Sequence, residues 1–465
     1  MNRYSGTNAV LPILIKGVTI VTSMGSLQKE IEKVGTKIFS TVDAYSDSPL
    51  QRAFWMRHAL SALIARPQTK NAVFSLIEQY PNIPSSGELQ SKMASLLRAP
   101  VASELSPLLS WLISPSIYTP HGFFANHLFK FSTQQMAKVF IAGETVEDGT
   151  RALQRLRKQK RGATIDLLGE YAYTNEDCEG YVQRYLQAIN NLVALKLSPV
   201  HPAERNPYCL SVKLSALCPR AKLSDTAIAK AEMTKRFTPI VKHAVAQGVQ
   251  LYVDAEDDTT NDAIYGTYFD IVLSELGKKL IAPGIVVQCN LKSAGERLRA
   301  LADAAHLRGS PLAVRLVKGA YWEHEMVSAH EKGTPPPVWK TKQETDACYE
   351  ELSQWLLDRS SILIPAFGSH NIRSLAVVIA YASSIKLTPE HYELQVLFGM
   401  AEPISNALTS LGFFVREYTP VGDLKNGIGY LVRRLLENSS NESFLKMLFL
   451  DNKEQAELLK APAQS

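Results

Sequence analysis

GFFVREYTPVGDLKNGIGYLVRRLLEN, residues 412–438, contains the unit from which the fold can be read. Its first part, GFFVREYTPVG (412–422), reads as a buried strand that carries an aromatic, Tyr418, near its end. Pro420 and Gly422 then break the run and turn the chain into a helix. On that helix Tyr430, Arg433, Arg434 and Glu437 fall at i, i+3, i+4 and i+7 and so share one face. Leu431, Val432, Leu435 and Leu436 crowd the neighbouring face, which should pack inward. Two adjacent arginines beside a tyrosine suit a small carboxylate, because the guanidinium fork grips it bidentately and the ring covers the apolar part. The same spacing also describes a solvated arginine pair held by Glu437. The stretch alone leaves both readings open.

Upstream, the strand-then-helix texture repeats. ATIDLLGE (163–170), YCLSVKLSAL (208–217), QLYVDAED (250–257), IVVQCNLK (285–292), PLAVRLVKGAY (311–321), ILIPAFGSH (362–370) and YELQVLFGM (392–400) precede the stretch already quoted. Amphipathic segments such as Tyr181–Leu197, Thr226–Ala246, Ala294–His306 and Thr345–Leu357 lie between them. About eight such units over roughly 280 residues are the signature of a (β/α)8 barrel. A doubly wound open sheet is the rival, but no phosphate-binding glycine fingerprint follows the first strand. The expected architecture is α/β: an all-helical arm or cap over residues 1–145, a (β/α)8 barrel over 146–440 and a tail over 441–465.

The N-terminal region earns its helical reading from apolar residues at helical spacing in Val34–Val42, Ala53–Leu63, Lys70–Tyr80, Ser91–Leu97 and Leu105–Leu112. Pro67, Pro81, Pro84, Pro100 and Pro115 punctuate them. Arg151–Arg161 (RALQRLRKQKR) is the densest basic run; its charges spread around a helix, which predicts a solvated face.

With 465 residues, 46% of them hydrophobic, the chain can bury a large core. A net charge of +5 with interspersed signs argues against nucleic acid as a partner. Five cysteines without a CxxC pair fit a reduced, cytoplasmic compartment. The apolar run Ala9–Thr22 is too short to span a bilayer, and Lys16 interrupts it. Peripheral contact with a membrane stays open.

In a barrel of this kind, chemistry collects at the C-terminal ends of the strands. Glu170, Lys213, Asp254 with Glu256, Gln288, Arg315 with Lys318, His370 and Tyr418 all fall there. Burying a lone charge in an apolar strand is costly, so charges recurring in most strands must meet each other or a ligand. Other templates fail. His324-Glu325 has no second histidine at the spacing a zinc site needs, Gly427-x-Gly429 lacks its third glycine, and neither a Walker A motif nor a GxSxG elbow is present. An anionic ligand or an organic cofactor suits this rim better than a metal ion. Two further readings use the same residues: a Schiff-base lyase with Lys213 or Lys318 as nucleophile, and a flavin-binding protein without catalysis.

The segments LLGE, SVKLSAL, YVDAED, VRLVKGAYWE, GSHN, LFGMAEP, VREYTPVG and YLVRRLLEN, with IAGETVEDG (141–149) before them, are together similar to those of FAD-dependent proline dehydrogenases. The similarity is to the proline dehydrogenase half of the bacterial bifunctional proline-utilisation flavoenzymes, in the same order over residues 135–440. It implies oxidation of L-proline to Δ1-pyrroline-5-carboxylate on a (β/α)8 barrel, with electrons passing through FAD to a quinone-type acceptor at a membrane face. By motif, it implies that Lys213, Arg433 and Arg434 bind the proline carboxylate. Tyr321, Leu397, Tyr418 and Tyr430 would pack around the ring, and Asp254 would organise Lys213 and Tyr418. Gln288, Arg315, Lys318, Trp322, Ser369, His370 and Glu437 would hold FAD, and Glu170 would close the site as a lid by pairing with Arg433.

Tyr418 is retained where hydroxyproline-preferring relatives lose bulk, which favours proline. The fourth strand departs from the family's common QAYLKR, reading Gln288-Cys289-Asn290-Leu291-Lys292-Ser293. Phe398 replaces the usual histidine, Ala401 replaces a glycine, and KTKQETD after Trp339 lacks an arginine. Flavin affinity and potential are therefore where this chain is expected to differ. No aldehyde dehydrogenase half follows Asn438, so the expectation is a single-activity enzyme whose product goes to a separate pyrroline-5-carboxylate dehydrogenase.

Overall fold

The computed structural model describes residues 24–46, 138–169, 172–221, 224–422 and 455–462, together with Gly427, Tyr430 and isolated positions between 66 and 92. Eight parallel strands close into a barrel in sequence order. They are β1 Gly162–Leu167, β2 Cys209–Val212, β3 Gln250–Val253, β4 Gly284–Gln288, β5 Leu312–Val317, β6 Leu363–Gly368, β7 Glu393–Leu397 and β8 Val415–Val421. Closure runs through β1 and β8, in register from Gly162 opposite Arg416 to Leu167 opposite Val421. The expected (β/α)8 barrel is therefore the fold, with helix Met24–Ser46 ahead of it.

The strands form where β-branched and apolar residues run together, as in GIVVQ and LAVRLV, because parallel strands under helices are buried on both faces. Helices fill each return. Thr174 with Asp177, and Thr341 with Glu344, form capping boxes that start Asn175–Ala194 and Lys342–Leu357. Outward-facing strand residues and these helices make one large apolar core. Inside the barrel, Cys209, Tyr252 and Ala313 pack as a separate small cluster with Ile364 against it. The Tyr252 ring fits because Gly284, opposite it on β4, has no side chain to fill that space.

Below that cluster the barrel floor is closed by a buried ion pair, with Arg416 Nε 3.0 Å from Glu393 Oε2. Arg416 also donates to the Ala163 carbonyl at 3.1 Å and to the Asn206 carbonyl at 3.4 Å. At the other end, Ala142 donates to the Pro420 carbonyl and Gly422 to the Gly143 carbonyl, each at 2.8 Å. These bonds lay residues 142–143 along the upper end of β8.

Helix Met24–Ser46 packs its Ile31 on Ala376, Val377 and Ala380 of helix Ile372–Ser384. Arg373 secures the join: it holds Glu350 through two bonds of 2.7 and 2.8 Å, and donates to Gln28 at 3.2 Å and to the Leu459 carbonyl at 2.5 Å. The expected segment Val34–Val42 lies within this helix. The other expected N-terminal helices fall wholly or mostly outside the described residues.

The solvated face expected for Arg151–Arg161 is overturned at two positions. Arg157 pairs with Glu204 at 2.6 Å, and buried Arg161 pairs with Glu417 at 2.7 Å and also donates to Asn406. These partners come from loops and strands far along the chain, so helical periodicity could not reveal them.

Candidate active site

In a parallel barrel alternate residues of each strand face the axis. That alternation, with the strand register, brings Asp166 of β1, Ser211 of β2, Arg315 of β5 and Tyr418 of β8 toward Lys213 and Asp254, which immediately follow β2 and β3. The six form one network. Lys213 is ion-paired with Asp166 and lies 3.8 Å from Asp254 Oδ2. Its Nζ is also 3.5 Å from Tyr418 Oη. Tyr418 donates to Asp254 Oδ2 at 2.7 Å, and Ser211 and Arg315 Nη1 donate to Asp254 Oδ1 at 2.9 and 3.0 Å. The Arg315 guanidinium stacks over the rings of Tyr252 and Tyr418, 4.4 and 5.2 Å from their centroids.

Burial disfavours the Lys213 ammonium, but Asp166, Tyr418 and Asp254 outweigh it and hold its pKa well above the usual lysine value. Burial pushes Asp166 up to about 6, against the pull of Lys213 and with the help of nearby Asp254. Burial also opposes the Arg315 charge, and Asp254 more than restores it, so the pKa is raised. Tyr418 is raised by burial and by its two carboxylate neighbours, which keeps it a phenol that donates. The network thus presents fixed cations with their counter-charges already in place.

Lys213, Asp254, Arg315 and Tyr418, all expected from sequence, are therefore brought together. Asp166 and Ser211 were missed. The signal for Asp166 was available, since a carboxylate inside the apolar run ATIDLL needs a buried partner; the reading favoured Glu170 at the end of that run instead. Glu256 accepts from the Ser215 hydroxyl at 2.6 Å and fixes the turn after Lys213.

Gln288 ends β4 and is 6% exposed; its Oε1 has no partner among the described residues. The same holds for Nε and Nη2 of Arg315, which is 4% exposed. Lys318 turns to the helix Lys342–Leu357 and pairs with Asp346 at 2.5 Å. Its pKa is lowered by burial, in part offset by Asp346, while Lys318 and Lys342 together outweigh the burial of Asp346 and lower its pKa. Trp322, 36% exposed, donates to the Trp339 carbonyl at 2.7 Å. Tyr321 is half-buried at the start of helix Trp322–Lys332. His370 Nε2 accepts from the backbone N–H of Leu397 at 2.9 Å, tying the loop after β6 to the end of β7. The Ser369 hydroxyl accepts from the Asn371 backbone at 3.1 Å, and Tyr430 is buried. Glu170, Arg433, Arg434 and Glu437 lie outside the described residues.

Comparison with known proteins points to one family. A family model described as proline dehydrogenase matches residues 150–447. The bifunctional protein PutA of Salmonella typhimurium is 31% identical over 328 residues, 67% of this chain and 24% of that protein. Proline dehydrogenase 2, mitochondrial, of Arabidopsis thaliana is 28% identical over 248 residues, 52% of this chain and 50% of that one. Among solved structures, proline utilization A from Bdellovibrio bacteriovorus, inactivated by N-propargylglycine, superposes with a TM-score of 0.83 at 32% identity, covering 94% of this chain and 44% of that chain. The chain thus spans about a quarter of the bacterial relative and under half of that structure. With the model matched across the whole barrel, the chain belongs to the proline dehydrogenase family.

Proposed function

We propose that this protein oxidises L-proline to Δ1-pyrroline-5-carboxylate with FAD as its cofactor. The observation that carries the proposal is the Lys213–Asp254–Tyr418–Arg315 network at the C-terminal mouth of a barrel whose sequence matches the proline dehydrogenase family. Lys213 supplies one positive charge for the amino-acid carboxylate, and Arg433 and Arg434 supply two more. Three cations gripping one carboxylate fix the ring's orientation, which turns binding energy into alignment. Tyr321, Leu397, Tyr418 and Tyr430 enclose the ring's apolar edge. Asp254 acts at one remove, holding Tyr418 as a donor and Lys213 in place. Glu170 closes over the site by pairing with Arg433 and excludes water.

The unpartnered buried atoms of Arg315 and Gln288 fit a flavin, whose polar edge offers acceptors to a guanidinium and a donor to a carboxamide. Gln288, Arg315, Lys318, Trp322, Ser369, His370 and Glu437 would hold it. When bound, the flavin supplies the two-electron acceptor for the hydrogen on proline C5. The charge of Arg315 favours electron transfer in that direction, because a nearby cation stabilises added negative charge.

Lys213 is a poor nucleophile for the Schiff-base lyase reading. A nucleophilic lysine must be neutral, and the carboxylates around this one hold it as an ammonium. Onward delivery to a quinone-type acceptor is part of the proposal; among the described residues no helix is long and apolar enough to cross a membrane. A pyrroline-5-carboxylate dehydrogenase activity is the proposed consumer of the product. The test is incubation with L-proline and an artificial electron acceptor while trapping pyrroline-5-carboxylate with o-aminobenzaldehyde. Product that depends on proline and is absent with Lys213→Ala is expected; no product from the wild-type protein refutes the reading.

A further inference from the structure

Helix Trp322–Lys332, which follows β5, opens on two residues of the candidate site, Tyr321 and Trp322. Apolar packing does little to hold it: Glu325 and Ala329 are its two buried residues, and Val327 lies exposed. Glu325 is 4% exposed, and its Oε1 accepts from the backbone N–H of Asp258 at 2.7 Å. Asp258 is the first residue of helix Asp258–Leu273, whose N-cap residue, Asp257, makes no side-chain cap of its own. The helix after β3 is thus capped from outside, by a carboxylate of the helix after β5.

Both ends of that bond lead to the barrel mouth. On one side, the Glu325 N–H donates to the Tyr321 carbonyl at 2.9 Å, so the residue that grips Asp258 also fixes Tyr321. On the other, Asp258 ends the turn that starts at Asp254, the carboxylate shared by Tyr418 and Arg315. Within that turn Glu256 accepts from the Ser215 hydroxyl at 2.6 Å, next to the turn that carries Lys213. We propose that Glu325 is a positioning residue, whose bond to Asp258 holds Tyr321 and Trp322 in place relative to Asp254 and Lys213. This rests on the function proposed above, in which Tyr321 packs on the proline ring and Trp322 holds the flavin. A helix with so little buried apolar surface is free to tilt once the bond is gone. Both ligands then meet a looser wall, while Lys213, Asp254, Arg315 and Tyr418 keep their own network. Binding suffers and the chemical step does not.

The experiment uses the full chain in three variants. Glu325→Ala removes the acceptor. Asp258→Pro removes the donor at a first helical position, where proline is well tolerated, and serves alone if Glu325→Ala does not fold. Glu325→Gln keeps an acceptor oxygen. In the first two, KM for proline and Kd for FAD should each rise about five- to tenfold, the size of one lost hydrogen bond, with kcat within about twofold of wild type. Burial pushes the Glu325 carboxyl above the usual range, against the pull of the Asp258 N–H. A neutral acceptor therefore substitutes for it, and Glu325→Gln should stay within about twofold of wild type in all three constants. Hydrogen exchange reads the clamp without either ligand: the amides of helix Trp322–Lys332 should exchange several-fold faster in Glu325→Ala and Asp258→Pro. Unchanged KM, Kd and exchange in both variants, or a loss in Glu325→Ala that Asp258→Pro does not share, overturns the proposal. So does a lower melting temperature with KM and Kd intact, which marks a cap that serves stability alone. Faster exchange in the variants of a wild-type protein that neither oxidises proline nor takes up FAD would uphold the clamp and refute the function proposed for the site.

Discussion

Asp254 ties two strands together from opposite sides of the barrel mouth: its Oδ1 accepts from Arg315 on β5 at 3.0 Å and its Oδ2 from Tyr418 on β8 at 2.7 Å. Removing it leaves Arg315 and Lys213 with an excess of buried positive charge. Asp254→Ala should lower unfolding free energy by about 3–5 kcal/mol, the range for breaking a buried pair from one side. Tyr418→Phe removes one hydrogen bond and should cost only about 1–2 kcal/mol. Urea midpoints of the two variants check this; equal losses would show that Asp254 is not the hub.

The raised Asp166 predicts a pH effect of definite sign. Above pH about 6 its carboxylate sits against Lys213, and below that value it takes up a proton. The site then becomes one unit more positive, so a carboxylate ligand should bind more tightly as pH falls through about 6. Affinity for a non-reacting proline analogue such as tetrahydrofuroic acid, measured from about pH 5 to about pH 7, roughly one unit either side of the transition, should show that inflection. Asp166→Asn, which copies the neutral acid, should bind tightly throughout and show none.

The floor of the barrel gives a contrasting case. Arg416 and Glu393 form a fully enclosed pair on the side of the interior cluster away from Lys213. Arg416→Ala should cost about 3–5 kcal/mol of stability, whereas replacing both partners with Met and Leu should recover most of it. KM for proline should stay within about twofold of wild type in the double variant, a difference of about 0.4 kcal/mol. A large change in KM would mean that the floor is coupled to the mouth.

Much of the barrel was legible because each parallel strand is buried on both faces and announces itself as an apolar run. Lys213, Asp254, Arg315 and Tyr418 were legible for the converse reason, as polar residues at strand ends where an apolar neighbourhood makes them conspicuous. Asp166 was less legible because it lies inside its apolar run, on the inward face with Thr164, and not at the end of the strand. The pairing of Arg157 and the burial of Arg161 were not readable at all, since Glu204 comes from the loop before β2 and Glu417 reaches Arg161 only through closure of the barrel between β1 and β8. Lys318 looked like part of the same rim, but its ammonium is engaged by Asp346 from the surrounding helix.

Arg434 carries the specificity argument from sequence. A lysine there keeps the charge and loses the bidentate fork. Arg434→Lys should raise KM for proline by about tenfold or more, about 1.4 kcal/mol, with flavin content unchanged. Unchanged turnover with proline would remove Arg434 from the substrate site.

The central claim is that fixed cations at the mouth of this barrel hold proline against a bound flavin. The most direct measurement is the visible absorption spectrum of the purified protein under anaerobic conditions, before and after addition of L-proline. The account predicts a yellow protein whose flavin band bleaches with L-proline and stays unbleached when Lys213 is replaced by alanine. A colourless protein, or a yellow one that excess L-proline leaves unchanged, would contradict it.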